Sequence, residues 1–144
     1  DTVSSKLVFE KNDDYTYDSI MHLNVESENG LVGNITQDVV TTPHKKNLEI
    51  VFENGYINII NNYRTNLDRL EYHINGKTEK IDYPKTRKDD FTGAIENIEN
   101  ALLNNCNLEE SMGFSIAIDT MCVINSSIES NKLNKRIKIN YKYD

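Results

Sequence analysis

Three histidines, two cysteines and two acidic pairs are the side chains of this 144-residue chain with types suited to chemistry. His22, His44 and His73 fall on separate predicted strands or loops. None has a second ligand at i+2 or i+4, so no metal site is expected. Cys106 and Cys122 form neither a disulfide framework nor a paired zinc signature, and a reducing, cytoplasmic setting is the expectation. Cys122, inside a helical pattern, reads as a small buried hydrophobe. Asp13-Asp14 and Asp89-Asp90 read as a turn and a helix start. The six glycines include no G-x-G-x-x-G and no phosphate loop with its lysine. A dinucleotide therefore has no backbone cradle here. Residue chemistry alone assigns no catalytic, cofactor-binding or metal-ligating residue.

The balance of 16 Lys+Arg against 23 Asp+Glu gives a formal charge of −7. Nucleic acid is not an expected partner, because phosphate neutralisation needs clustered cations. Apolar runs such as Val39-Val40 or Ile57 with Ile59-Ile60 fall far short of the roughly 20 residues of a membrane span. The length predicts one domain over residues 1–144. Asp1 is not a methionine and no charged-then-apolar leader follows it, so the chain is expected to be a piece of a larger protein. Asparagine is abundant, with 20 residues, and is spread evenly among apolar positions, which reads as a compositional accident.

The elements that must position any site are clearer. Asn29-Gly30, Asn54-Gly55 and Asn75-Gly76 each lie between alternating or β-branched runs, the signature of hairpins whose turns need positive φ. Strands are predicted near 3–9, 19–26, 31–40, 48–53, 56–60, 67–74 and 77–83. Met21, Leu23 and Val25 alternate with His22, Asn24 and Glu26, so one sheet face is apolar. From about Lys88 the period changes to 3.6, with Phe91, Ala94, Ile95, Ile98, Ala101 and Leu102 on one helical face. Asp89 or Asp90 caps that helix. Asn107 and Glu110 resemble a capping box for a second helix, along which Phe114, Ala117, Ile118, Met121, Ile124, Asn125 and Ile128 repeat. Residues 136–141 read as a closing strand. The predicted class is α+β, a predominantly antiparallel sheet with two helices packed on one face.

The segments Ser27 to Asp38, Lys46 to Ile57, the helix Asp90-Phe91 to Leu103, and the helix-strand ending Ser126 to Ile139 resemble, in that order, the C-terminal domain of the Gfo/Idh/MocA oxidoreductases. These are NAD(P)-dependent dehydrogenases acting mainly on sugars, nucleotide sugars and inositols. The resemblance runs from about Asp14 to Ile139. Asp38 followed by the basic stretch His44-Lys45-Lys46 is similar to enzymes of surface-polysaccharide and nonulosonic-acid sugar pathways.

The resemblance implies a substrate-binding and self-associating domain that is not catalytic alone. The family's nucleotide-binding half, its Glu-Lys-Pro segment and its Asp-x-x-x-His motif all precede the matched region, so no catalytic residue carries over. NAD or NADP is expected for the full-length parent. By position, Gln37, Asp38 and His44 are the substrate-binding candidates, and a homo-oligomer is expected through the open sheet face carrying Asn34, Thr36, Glu49, Val51, Asn58 and Ile60. A second reading is a free-standing sheet-and-helix module binding an apolar small molecule.

Overall fold

The structure, a computed structural model, describes residues 1–104 and 113–141. Cys106 and the Asn107–Glu110 capping box lie outside the described residues. Eight strands and two helices follow the order β1 (Thr2–Lys11), β2 (Thr16–Glu26), β3 (Val32–Asp38), β4 (Lys46–Phe52), β5 (Gly55–Arg64), β6 (Leu67–Ile74), β7 (Lys77–Pro84), α1 (Asp89–Asn104), α2 (Phe114–Leu133) and β8 (Ile137–Lys138). The class is α+β with antiparallel pairing throughout. The strands form two four-stranded sheets, in the orders β3-β2-β1-β8 and β4-β5-β6-β7. Two compact units result, one from Asp1–Thr41 with Glu109–Asp144 and one from Thr42–Leu108. The face expected for self-association is divided accordingly. Asn34 and Thr36 lie in the first sheet, whereas Glu49, Val51, Asn58 and Ile60 share one face of the second.

In the first unit the β1–β2 register sets Val3 opposite Val25 and Leu7 opposite Met21, which places the apolar positions on one face. Val3, Leu23 and Ile139 are buried there, with Cys122 and Val123 of α2 packed against them. The α2 stripe predicted to make this contact does not make it. Phe114 is 79% exposed and Met121 61%, whereas the buried α2 residues are Ser126, Ser127 and Ser130. The reason lies at the edge of β1. Strand β8 pairs only with Thr2 and Val3, and farther along β1 the outward amides need other acceptors. Ser5 N–H donates to Ser130 Oγ at 3.1 Å and Leu7 N–H to Asn131 Oδ1 at 2.9 Å. Ser5 Oγ donates to the Ser127 carbonyl, and Ser130 Oγ donates to the Lys135 carbonyl at 2.6 Å. Small hydroxyl side chains let α2 approach this edge closely enough to replace a strand. Among the described residues no buried side-chain N or O lacks a partner. The helix ends on Asn134, whose left-handed backbone (φ 49°) turns its N–H back to the Ser130 carbonyl.

In the second unit, register places Leu48, Ile59, Leu70 and Ile81 in one apolar row. The opposite face carries charged cross-strand neighbours. Arg69 holds Asp82 through two hydrogen bonds of 2.6 and 2.9 Å and stacks its guanidinium 3.8 Å over the Tyr63 ring. No described residue of this unit is buried, and Leu48, Ile50 and Ile81 remain 53%, 45% and 39% exposed. Helix α1 follows β7 and starts with Asp89 Oδ2 accepting from Thr86 N–H and Oγ1. Its first-turn acids suit the positive end of the helix. The amphipathic stripe is present, yet Phe91, Ile95 and Ile98 are exposed. Among the described residues no helix is long and apolar enough to cross a membrane.

The hairpin dipeptides act in different ways. Asn75-Gly76 is a primed turn with φ of 50° and 78°, as its sequence predicts. Gly55, by contrast, already belongs to β5 and has no positive φ; a Cβ there would stand 1.7 Å from the His73 carbonyl oxygen. Its purpose is close approach of two strands. The plentiful asparagines also have a conformational use, since Asn62, Asn66, Asn75 and Asn134 all adopt positive φ.

Two stability comparisons follow from these contacts. Ser130→Ala removes the acceptor for Ser5 N–H from a buried seam, and urea unfolding is expected to show a loss of about 1–3 kcal/mol. Lys132→Ala, at an exposed α2 position, should change stability by less than about 0.5 kcal/mol. Gly55→Ala is expected to lose about 3 kcal/mol or more, because backbone must move. Gly76→Ala should lose only about 1–2 kcal/mol of left-handed strain. Equal effects at the two glycines would show that turn conformation, not strand approach, is what Gly55 provides.

Candidate functional site

Gln37 and Asp38 occupy the last two positions of β3, in the first unit. Because successive strand residues alternate, their side chains leave opposite faces of the sheet. Gln37 lies on the face of Met21 and Ile35, and Asp38 on the face of His22 and Thr36. Gln37 is exposed and its side chain is unpaired among the described residues. His44 is exposed too, but lies in the second unit just before β4. The three candidates are therefore not assembled as one cluster within either unit.

Asp38 is the most constrained of them. One carboxylate oxygen accepts Val40 N–H at 3.0 Å and Thr41 N–H at 2.5 Å; the other accepts Thr41 Oγ1 at 2.9 Å. This is a side-chain-closed turn at the strand exit, of the kind Asp favours when amides follow it two and three residues on. Hydrogen bonding from the Thr41 backbone, then from its hydroxyl, holds the Asp38 carboxyl below its ordinary range, aided by nearby His22. Asp38 is thus a fixed anion. Thr41, which the sequence reading passed over, is the residue that fixes it. An Asp followed three positions later by Thr carries that signal.

On the same sheet face, His22 Nδ1 and Thr36 Oγ1 are 3.0 Å apart. Further along, a shallow depression of about 260 Å³ is lined by Thr2, Asn24, Glu26, Val32, Asn34 and Arg136. Arg136 Nη1 donates to Glu26 Oε2 at 2.6 Å across it. Its lining mixes the Asn24 and Asn34 amides, the Thr2 hydroxyl and the Arg136–Glu26 ion pair with the apolar side chains of Val25 and Val32. Tyr141 donates from its hydroxyl to Asp1 Oδ2 at 2.9 Å, and burial pushes its phenol above the ordinary value. Among the described residues no group of three or more His, Cys, Asp or Glu could hold a metal ion. Cys122 is half-buried against the core of the first unit.

No family model matches the sequence, and no curated protein matches it. Among solved structures, the crystal structure of an aldose-aldose oxidoreductase from Caulobacter crescentus, complexed with glycerol, is similar in fold. The TM-score is 0.77 at 11% sequence identity, covering 95% of this chain and 40% of that one. The chain thus spans less than half the length of its structural neighbour, and the likeness is one of fold, to part of an oxidoreductase.

Proposed function

We propose that this chain is the substrate-binding and self-associating part of an NAD(P)-dependent oxidoreductase that acts on a sugar or nucleotide sugar. The cofactor half and the catalytic residues belong to the rest of that enzyme. The observation that carries this reading is the fold likeness over 95% of the chain to an aldose-aldose oxidoreductase of which it spans 40%. The sequence resemblance to the family's C-terminal domain points the same way. So does the second unit, whose apolar row keeps Leu48, Ile59 and Ile81 at 53%, 37% and 39% exposure, which suits packing inside a larger molecule.

In this role each candidate offers hydroxyl-recognising chemistry separately, Gln37 an amide and Asp38 a fixed acceptor on the two faces of β3 in the first unit, and His44 an imidazole in the second. NAD or NADP is bound by the other half. Homo-oligomer formation and a cytoplasmic location with reduced cysteines complete the proposal.

Calorimetry with NADH and NADPH checks the division of labour: the chain alone is expected to bind neither, and micromolar binding of either would refute it. In the full-length enzyme, Gln37→Ala and His44→Ala should raise the KM for the sugar roughly 5- to 150-fold, the range of a lost hydroxyl partner. Cofactor affinity should not move. Unchanged KM in both variants removes these residues from the site.

Asp38 needs a separate measurement because it also closes a turn. Its folded carboxyl titrates below the ordinary 3.8. The turn is therefore fully held above that value and released as pH falls through the lower folded one. A carbon-13 titration with its midpoint below 3.8, accompanied by shifts at the Val40 and Thr41 amides, is the expected outcome.

A further inference from the structure

Among the described residues the two sheets present four edges, and three are defended. The β1 edge is closed by β8 and then by Ser130 and Asn131 of α2. Strand β7 carries Lys77, Glu79, Lys80, Asp82 and Pro84, and β4 carries Lys46 and Glu49. Charges and proline are the usual guards against a wrong strand. Strand β3 has none over Val32–Gln37 in a chain of net charge −7. It is exposed at every one of those positions.

The phase of the β2–β3 ladder shows which groups are open. Ser27 N–H bonds the Leu31 carbonyl at 2.9 Å and Val39 N–H bonds the Ser19 carbonyl at 3.1 Å. Odd-numbered β3 residues therefore bond to β2, and the N–H and C=O groups of Val32, Asn34 and Thr36 point away from the sheet. We infer that this edge pairs antiparallel with the β3 edge of a second copy, across a two-fold axis at Asn34, joining two four-stranded sheets into one. Val32 then faces the partner's Thr36, and Asn34 faces its own counterpart. Asp38 falls opposite the partner's Gly30, so no like charges oppose each other. On the other face Ile35, which is 48% exposed, meets the partner's Gly33, where the missing side chain leaves room. This deepens the self-association in the proposed function and is independent of its sugar chemistry.

Amide hydrogen exchange on the unaltered protein reads the pairing directly. Gly33 and Ile35 amides should be protected at all concentrations, because β2 holds them. Val32, Asn34 and Thr36 amides should become protected only as concentration rises, together with dimer formation in sedimentation equilibrium. Asn34→Pro removes one outward N–H without touching the β2 ladder, and should weaken the dimer at least about tenfold. Val51→Lys, on the polar face of the second sheet, should leave it intact. A strictly monomeric wild type overturns the inference. So does a dimer in which the three outward amides exchange as fast as in dilute protein. A dimer lost in Val51→Lys but kept in Asn34→Pro also overturns the edge pairing, while leaving face-to-face self-association standing.

Discussion

The edge of β1 is the constraint on which the first unit is built. A strand with one side unpaired must find acceptors for its outward amides or leave them wet. Here β8 is two residues long and covers only the start. Beyond it a helix supplies what a strand would have supplied, through Ser130 and Asn131. That requirement fixes the rotation of α2 about its axis. Once serines are turned to the strand edge, Cys122 and Val123 face Val3 and Leu23, and the larger apolar residues of the helix point elsewhere. Hydrogen bonds thus decide the placement and apolar packing follows from it, the reverse of the usual order for a helix on a sheet.

That reversal explains where the sequence could and could not be read. Alternation in Met21–Glu26 and the turn dipeptide Asn75-Gly76 announced strands and hairpins correctly, because both signals depend on local backbone geometry. The helical period from Phe91 onward was equally legible. The packing face of α2 was not. Hydropathy ranks Phe114 and Met121 above Ser127 and Ser130, and nothing in a hydropathy pattern reports that a neighbouring strand has unpaired amides. The division into two sheets was hidden for a related reason. Strand order depends on partners remote in sequence, and the alternation within β3 or β4 does not name the strand each pairs with. At the candidate site, Asp38 was legible as a position but not as a turn closure, since Thr41 acquires meaning only once the chain bends back on the carboxylate.

The polar face of the second sheet illustrates how little of a protein's polar chemistry need be reactive. Arg69 with Asp82, and Glu71 with Lys80 and Tyr56, form two neighbouring sets of short contacts on one face. Each acid is held in its charged form by the cation or hydroxyl beside it, which makes both sets a scaffold with no proton ready to move at neutral pH. Such a lattice orders strands that lack a buried core, at modest energetic worth per pair because solvent reaches it.

The hydrogen bond from Ser5 to Ser130 joins residues 125 positions apart. The whole second unit is spliced into the chain between the two halves of the first. During synthesis, therefore, the inserted segment can complete its short hairpins while β1, β2 and β3 wait as a meander with an open edge. Only when α2 has left the ribosome can that edge be closed. A vectorially made protein of this design carries that strand edge uncovered while the whole inserted unit is being made. Closure of that long loop, rather than formation of any hairpin, sets when the β1 edge is covered.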